Sequence, residues 1–287
     1  MAKLLRVMKF GGTSMGDAEC IARSAKIVVE GAREASVVVV VSAMSGVTNR
    51  LIASATRAAS GDAGAGPELV DALRQQHETA LQVLVANNTT RRQVQEQIEV
   101  ILAEARRLYD GTALLRELSP RTLDSISSVG ERLSAPVFSA TLVAMGVTSQ
   151  AVEATRLIVT DPYHGGAEPL ADLTREHCEK CLRPMLNDGA VPVVTGFIGS
   201  SEAGELTTLG RGGSDYSATI LGAALAADEV IIWTDVDGVL TADPRQVSDA
   251  RTIPEISYRE AAELAFFGAK VLHPKTLKAV VAAKIPV

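Results

Sequence analysis

The sequence predicts an α/β fold, a three-layer αβα sandwich whose central sheet is mostly parallel. Three observations carry this expectation. Runs such as residues 4–10, 36–41, 191–195 and 229–233 are almost continuously apolar rather than alternating, as strands covered on both faces are. Helical patterns separate them, so each return to the sheet needs a crossover and the strands run parallel. Only 3% of the residues are aromatic against 47% hydrophobic, so a Val/Ile sheet has to be covered by Ala/Leu helices.

Each element has its own local reason. Residues 4–10 form a buried strand, and Gly11-Gly12-Thr13-Ser14 turns the chain at once. Asp17 can cap a helix over about 18–31. The 36–41 strand ends in Ser42-Ala43-Met44-Ser45-Gly46-Val47-Thr48-Asn49, a small-residue turn that leads into a helix. Residues 60–67 read as a flexible loop. Leu69, Val70, Leu73, Ala80, Leu81 and Leu84 then share one helical face, and Val94, Ile98, Ile101, Leu102, Ala105 and Leu108 share another. This pattern predicts a helical hairpin inserted at about 68–118.

Ser119 and Pro120 start the next helix, a capping residue followed by proline in the first turn, which is expected to run on through residues 127–134. A strand over 150–153, a loop over 161–169, a helix over about 173–186 and the 191–195 strand follow. The 196–199 segment leads to Thr207-Thr208-Leu209-Gly210-Arg211-Gly212-Gly213-Ser214-Asp215 and a helix over 216–225. Beyond the 229–233 strand lie Thr234-Asp235-Val236-Asp237-Gly238 and Asp243-Pro244-Arg245. Ser257 caps a helix over about 258–267, Gly268 ends it, and residues 270–274 lead to a last helix. Residues 285–287 read as the start of a strand.

Composition narrows the function classes. At 287 residues one large domain or two small ones are open, and the net charge of −6 argues against a general nucleic-acid binder. The longest apolar runs fall well short of the ~18 residues of a membrane span. Lys3, Arg6 and Lys9 interrupt the apolar start, unlike a secretory signal. Three cysteines, Cys20, Cys178 and Cys181, cannot all pair, so a cytoplasmic address is the default expectation. His177-Cys178-Glu179-Lys180-Cys181 has no partner motif and sits in a helical pattern, so its thiols read as small apolar side chains rather than metal ligands.

The 207–215 stretch reads as an anion cradle. Gly210, Gly212 and Gly213 let the backbone approach a ligand, and the following helix adds the positive end of its dipole. Arg211 brings a forked cation suited to a carboxylate or a phosphate. Asp215 would repel such an anion unless a cation stood between them, so the site calls for a lysine or a metal. GxxxxGK[ST], an early GxGxxG and the protein-kinase motif set are missing, which leaves phosphate charge to lysines. Each polar motif follows a strand, where open α/β sheets bind ligands.

Lys9-Phe10-Gly11-Gly12-Thr13-Ser14, the 40–49 stretch, Gly130-Glu131-Arg132-Leu133-Ser134, residues 209–215, residues 234–238 and residues 268–274 together resemble the aspartokinase signature set. The match is in order, ungapped within each motif, and spans the chain. The resemblance implies the amino-acid kinase (carbamate-kinase-like) fold over 1–287. It also implies transfer of the γ-phosphoryl of ATP, with Mg2+, to the β-carboxylate of L-aspartate. The products would be ADP and 4-phospho-L-aspartate, the first step toward lysine, threonine and methionine. A carboxylate of pKa about 4 is ionised at neutral pH, so this nucleophile needs no general base.

By the same resemblance Lys9 would meet the transferring phosphoryl group, with Gly11, Gly12 and Ser14 around it, and Asp215 would orient Lys9 and the substrate. Arg211 would hold the α-carboxylate of aspartate and Glu131 its α-ammonium, with Ser42 and Thr48 lining that pocket. The resemblance assigns Thr234 and Asp235 to the adenosine, Arg245 and Lys270 to the phosphates, and Val271 to the same nucleotide site. Leu240 stands where many members carry an aromatic residue beside adenine. Mg2+ would be held mainly by the ATP phosphates, and His273 would be structural. Typical aspartokinases continue with a last strand and two ACT regulatory domains that this sequence lacks, so insensitivity to lysine and threonine is expected. The open sheet edge leaves a homodimer open. Kinases of another acidic amino acid and non-catalytic binding subunits are the competing readings.

Overall fold

The computed structural model describes residues 3–236, 238–243, 246–247, 249–266 and 272–287. The first half contains β1 (Leu4–Phe10), α1 (Ala18–Glu34), β2 (Ala35–Val41), α2 (Val47–Ala59), α3 (Ala65–Leu84), α4 (Asn88–Leu115), α5 (Pro120–Ser127) and α6 (Val129–Ala144). The second contains β3 (Ser149–Val152), β4 (Val159–Thr160), α7 (Ala171–Asn187), β5 (Val191–Thr195), β6 (Ile198–Ser201), β7 (Leu206–Thr208), α8 (Gly213–Leu225), β8 (Glu229–Trp233), α9 (Tyr258–Phe266) and α10 (Pro274–Ala283).

Five strands form the central sheet in the order β3-β5-β2-β1-β8, and every pair is parallel. Phe10 pairs with Val41 on one side and Trp233 on the other, and Val41 pairs with Thr195. Four strands therefore end in one row, which sets their following turns side by side. One core lies between the sheet and α1, α2, α3, α4 and α6, and the other between the sheet and α7, α8 and α10. Val37, Val39 and Val41 serve the first and Val38 and Val40 the second, the period of two that a doubly covered strand produces.

The α3–α4 hairpin forms where the periodicity predicts it, and it joins the first core directly. Tyr109 is buried and its hydroxyl donates to the Leu51 carbonyl at 2.8 Å. The 60–67 segment is shorter as a loop than expected. α3 already starts at Ala65, and Arg57 ties the entry down through Asp62 at 2.6 Å and Glu68 at 3.2 Å.

The single helix expected through residues 120–134 is two. Ser127 and Ser128 donate their hydroxyls back to the carbonyls of Asp124 and Ser125, and this competition with the backbone ladder divides α5 from α6. A second sheet, β4-β6-β7, was not expected from the sequence. The strands are too short to show a period, and Phe197, with φ of 72°, folds the chain between β5 and β6. At the end of the chain Val230 N–H donates to Pro286 O at 2.9 Å, so these residues lie against the β8 edge without completing a strand.

Candidate active site

Alternation along β1 sends Leu5 and Val7 to the α8 side of the sheet, and Lys9 follows them one position before the strand ends. The lysine is only 8% exposed. A charge so buried needs a partner. Asp215, in the first turn of α8, supplies it with Oδ1 2.6 Å from Lys9 Nζ. That position also suits a carboxylate, because the unpaired N–H groups of a helix start carry positive potential. The sequence requirement for a cation beside Asp215 is met by Lys9.

Two close approaches make this meeting feasible. A Cβ at Gly11 would stand 3.2 Å from Lys9 Nζ, and a Cβ at Gly196 would stand 2.7 Å from the Cβ of Ser214. The α8 start can thus pack onto the end of β5, with Gly212 at φ 72° making the turn into the helix.

Glu131 enters from α6 on the other side of the same row of strand ends. It is 3% exposed, and its Oε2 has no hydrogen-bond partner among the described residues. Burial pushes its carboxyl up to about 8, against the pull of the Ala43 and Glu131 backbone N–H groups and the charge of Lys9. An intrahelical arginine does not neutralise it. The neighbouring Arg132 instead binds Glu104 and Glu153, each at 2.9 Å. The Ser42 loop is fastened between both parts: Ser42 N–H donates to Phe10 O at 3.1 Å, and Ser134 Oγ donates to Ser42 O at 2.8 Å. Thr48 is half-buried in the first turn of α2.

Arg211 is exposed and forms no hydrogen bond or ion pair with the described residues, so its five donors are available to a ligand. Ser14 and Gly12 are half-buried in the turn after β1, and the main chain there closes through Met15 N–H to Gly12 O at 3.2 Å. Thr234 and Asp235 are exposed beyond β8 and hydrogen-bonded to each other at 3.0 Å. Leu240 is half-buried and bridges to Thr252. Arg245, Lys270 and Val271 lie outside the described residues, as do Asp237 and Gly268. His273 caps α10, its Nδ1 accepting from Lys275 N–H at 3.3 Å.

Sequence reading missed Asp124 and His164. Asp124 is 2% exposed and binds groups in two remote segments, so no local pattern could have signalled it. It also missed the parallel stack of Trp233 on Phe10, with centroids 6.3 Å apart, which braces the row of strand ends. Two hollows of about 320 Å³ and 490 Å³ border this region, one lined by α4, α6, β3 and Thr195 at the end of β5, the other by α1, α2, α3, Gly16 and Met44. Neither contains Lys9 or Asp215, and the convergence of charges marks the site better than concavity does.

Cys178 is buried, its thiol pushed up to about 12 by burial, and Cys181 is partly buried. No group of three metal-binding side chains occurs among the described residues, and none of their helices is long and apolar enough to cross a membrane.

Comparison with known proteins agrees with this geometry. The family model described as amino acid kinase family matches residues 5–287. Lysine-sensitive aspartokinase 3 of Escherichia coli is 42% identical over 98% of this chain, and chloroplastic aspartokinase 1 of Arabidopsis thaliana is 37% identical over 98%. This chain spans 60% and 49% of those two relatives' lengths. A crystal structure of E. coli aspartokinase III with aspartate and ADP has a TM-score of 0.86 at 41% identity, covering 98% of this chain and 60% of that one. With a five-stranded parallel sheet, helices on both faces and a lysine–aspartate pair at the strand ends, the chain belongs to the amino acid kinase family.

Proposed function

We propose that this chain is an aspartate kinase catalytic unit. It transfers the γ-phosphoryl group of MgATP to the β-carboxylate of L-aspartate, yielding 4-phospho-L-aspartate and ADP. The observation that carries this reading is the pairing of Lys9 with Asp215, together with a buried Glu131 that feels the charge of Lys9 and an Arg211 without a partner among the described residues. A carboxylate nucleophile is already ionised, so catalysis reduces to bringing two anions together. Lys9 offsets their repulsion. Asp215 holds Lys9 by charge, 2.6 Å away, and in this proposal it orients the ammonium, since an ionised carboxylate acceptor leaves no proton for a base to take. Arg211 meets the substrate α-carboxylate and Glu131 its α-ammonium, with Ser42 and Thr48 beside them.

Gly11, Gly12 and Ser14 line the path of the phosphates, while Thr234, Asp235 and Leu240 serve the nucleoside. Arg245, Lys270 and Val271 complete the nucleotide site in this proposal. Mg2+ arrives with ATP, held mainly by its phosphates. The relatives named aspartokinases, and the neighbour crystallised with aspartate and ADP, support the same acceptor and donor. The reading extends to a cytoplasmic enzyme at the head of lysine, threonine and methionine synthesis.

A second reading follows from Glu131 and Arg211, which address only the α-amino-acid end: another acidic amino acid is the acceptor. An ATP-dependent hydroxamate assay over aspartate, glutamate and related acids tests both. Turnover of aspartate with at least a hundredfold loss in Lys9→Ala is expected, on the order of a lost transition-state charge contact. Preference for another acid moves the substrate assignment, and no turnover with any acid refutes the kinase reading.

A further inference from the structure

Asp124 on α5 is a buried carboxylate that belongs to none of the roles above. Its oxygens accept from Thr208 Oγ1 at 2.6 Å, Thr208 N at 3.2 Å and Gly165 N at 3.1 Å, and they face His164 Nδ1 at 2.9 Å. A buried carboxylate is tolerated when its lone pairs are filled in this way. All four donor groups come from two segments distant in sequence, the 161–169 loop and the end of β7.

Those segments also grip each other. Ala167 N–H donates to Thr208 O at 2.8 Å. Gly210 has φ of 78°, and a Cβ there would stand 3.2 Å from Gly165 O and 3.3 Å from Gly166 Cα. The loop that Asp124 holds therefore forms the bed on which the Gly210–Arg211 turn lies. Arg211 itself has no partner among the described residues to fix it. Its approach to a ligand is set by its backbone, and its backbone is set by this clamp.

We propose that Asp124 is a positioning residue for acidic-substrate binding: it locks the His164–Gly165 loop to Thr208 and so aims Arg211 at the substrate α-carboxylate. This rests on the reading that Arg211 binds that carboxylate. Asp124 touches neither substrate in this assignment. Its loss should therefore act on amino-acid binding and leave the nucleotide side alone.

The test is a mutant cycle on the intact chain. Asp124→Asn keeps the shape but turns an amide N–H₂ toward groups that themselves donate. Expected is a rise of about tenfold in KM for the amino acid, with kcat and KM for ATP within about twofold, the signature of lost ground-state binding. In an Arg211→Ala background the same change should cost less than about twofold, because misaiming an absent side chain has no effect.

Thr208→Val, which removes only the hydroxyl contact, should raise the same KM about threefold, and it serves if Asp124→Asn does not fold. Equal losses with and without Arg211, or matching rises in both KM values, overturn the proposal by making Asp124 a general structural residue. An Arg211→Ala variant with unchanged amino-acid KM overturns the Arg211 assignment and the positioning role together. A raised KM in Arg211→Ala with none in Asp124→Asn or Thr208→Val refutes the positioning role alone.

Discussion

Lys9 Nζ lies 2.6 Å from Asp215 Oδ1, joining the last turn-facing position of β1 to the first turn of α8. The lysine is buried and the aspartate side chain keeps 23% of its exposure, so the pair faces the outside through the carboxylate. Removing either member leaves the other without its partner in a poorly solvated place.

Lys9→Ala and Asp215→Ala should each lower kcat by about 10²- to 10³-fold, and the double variant should be no worse than Lys9→Ala alone, because both changes disable one unit. Steady-state kinetics on the four proteins of the cycle checks this. Additive losses would show that Asp215 acts independently of Lys9.

In its proposed role of meeting the substrate ammonium, Glu131 makes substrate affinity pH-dependent. Its carboxyl is pushed up to about 8 by burial, so the free protein holds a proton there that an incoming ammonium must displace. Affinity for aspartate should rise between about pH 6 and about pH 8 and then level off. Calorimetry in buffers of different ionisation enthalpy should show net proton release on binding. For stability the sign is the reverse. A raised folded pKa favours the folded state at low pH, and that contribution is lost as pH rises through about 8. Glu131→Gln should remove both dependences, and a variant that keeps the wild-type affinity profile would exclude Glu131 as their source.

Gly130 is where α6 meets the Ser42 loop. An added Cβ would stand 2.6 Å from the Cβ of Ala43 and 3.2 Å from Cγ1 of Val47. Gly130→Ala should therefore destabilise by about 1–3 kcal/mol, as overpacking does. It should also raise KM for aspartate by shifting Glu131, the next residue. Denaturant titration together with kinetics tests this, and unchanged values in both would mean that the contact relaxes without consequence.

His77 supplies an acid-sensitive point away from the site. It is fully buried in α3, with Nδ1 2.8 Å from Leu73 O and Nε2 without a partner among the described residues, and burial pulls its pKa down to about 4. The unfolded chain then binds the extra proton, so stability is lost as pH falls from about 6.5 through about 4. His77→Leu should move the acid-unfolding midpoint downward while changing neutral stability by only about 1 kcal/mol, the worth of the single hydrogen bond it removes. An unmoved midpoint would place the acid sensitivity elsewhere.

Much of the architecture was legible in residue patterns. The run of valines in β2 announced a strand covered on both faces, and the spacings of Leu69 to Leu84 and Val94 to Leu108 announced the helical hairpin. Asp17 and Ser119 cap the helices that their positions predicted. What depends on a few residues was not legible. The β4-β6-β7 sheet is built from strands too short to carry a period, and the break at Ser128 rests on two hydroxyl contacts.

By itself the sequence determined which chemical groups the site needs: a glycine-rich cradle, an arginine, and an aspartate that demands a cation. The tertiary structure alone decided which cation answers that demand, because sheet register and the period of two turn Lys9 toward α8. It also decided that Glu131 is buried within reach of that lysine's charge rather than paired along its own helix, and that Asp124 binds the loop under Arg211. The physical reason is common to all three. Local patterns report how a residue prefers to be covered, whereas a charge's partner is set by long-range packing between segments that the sequence keeps far apart.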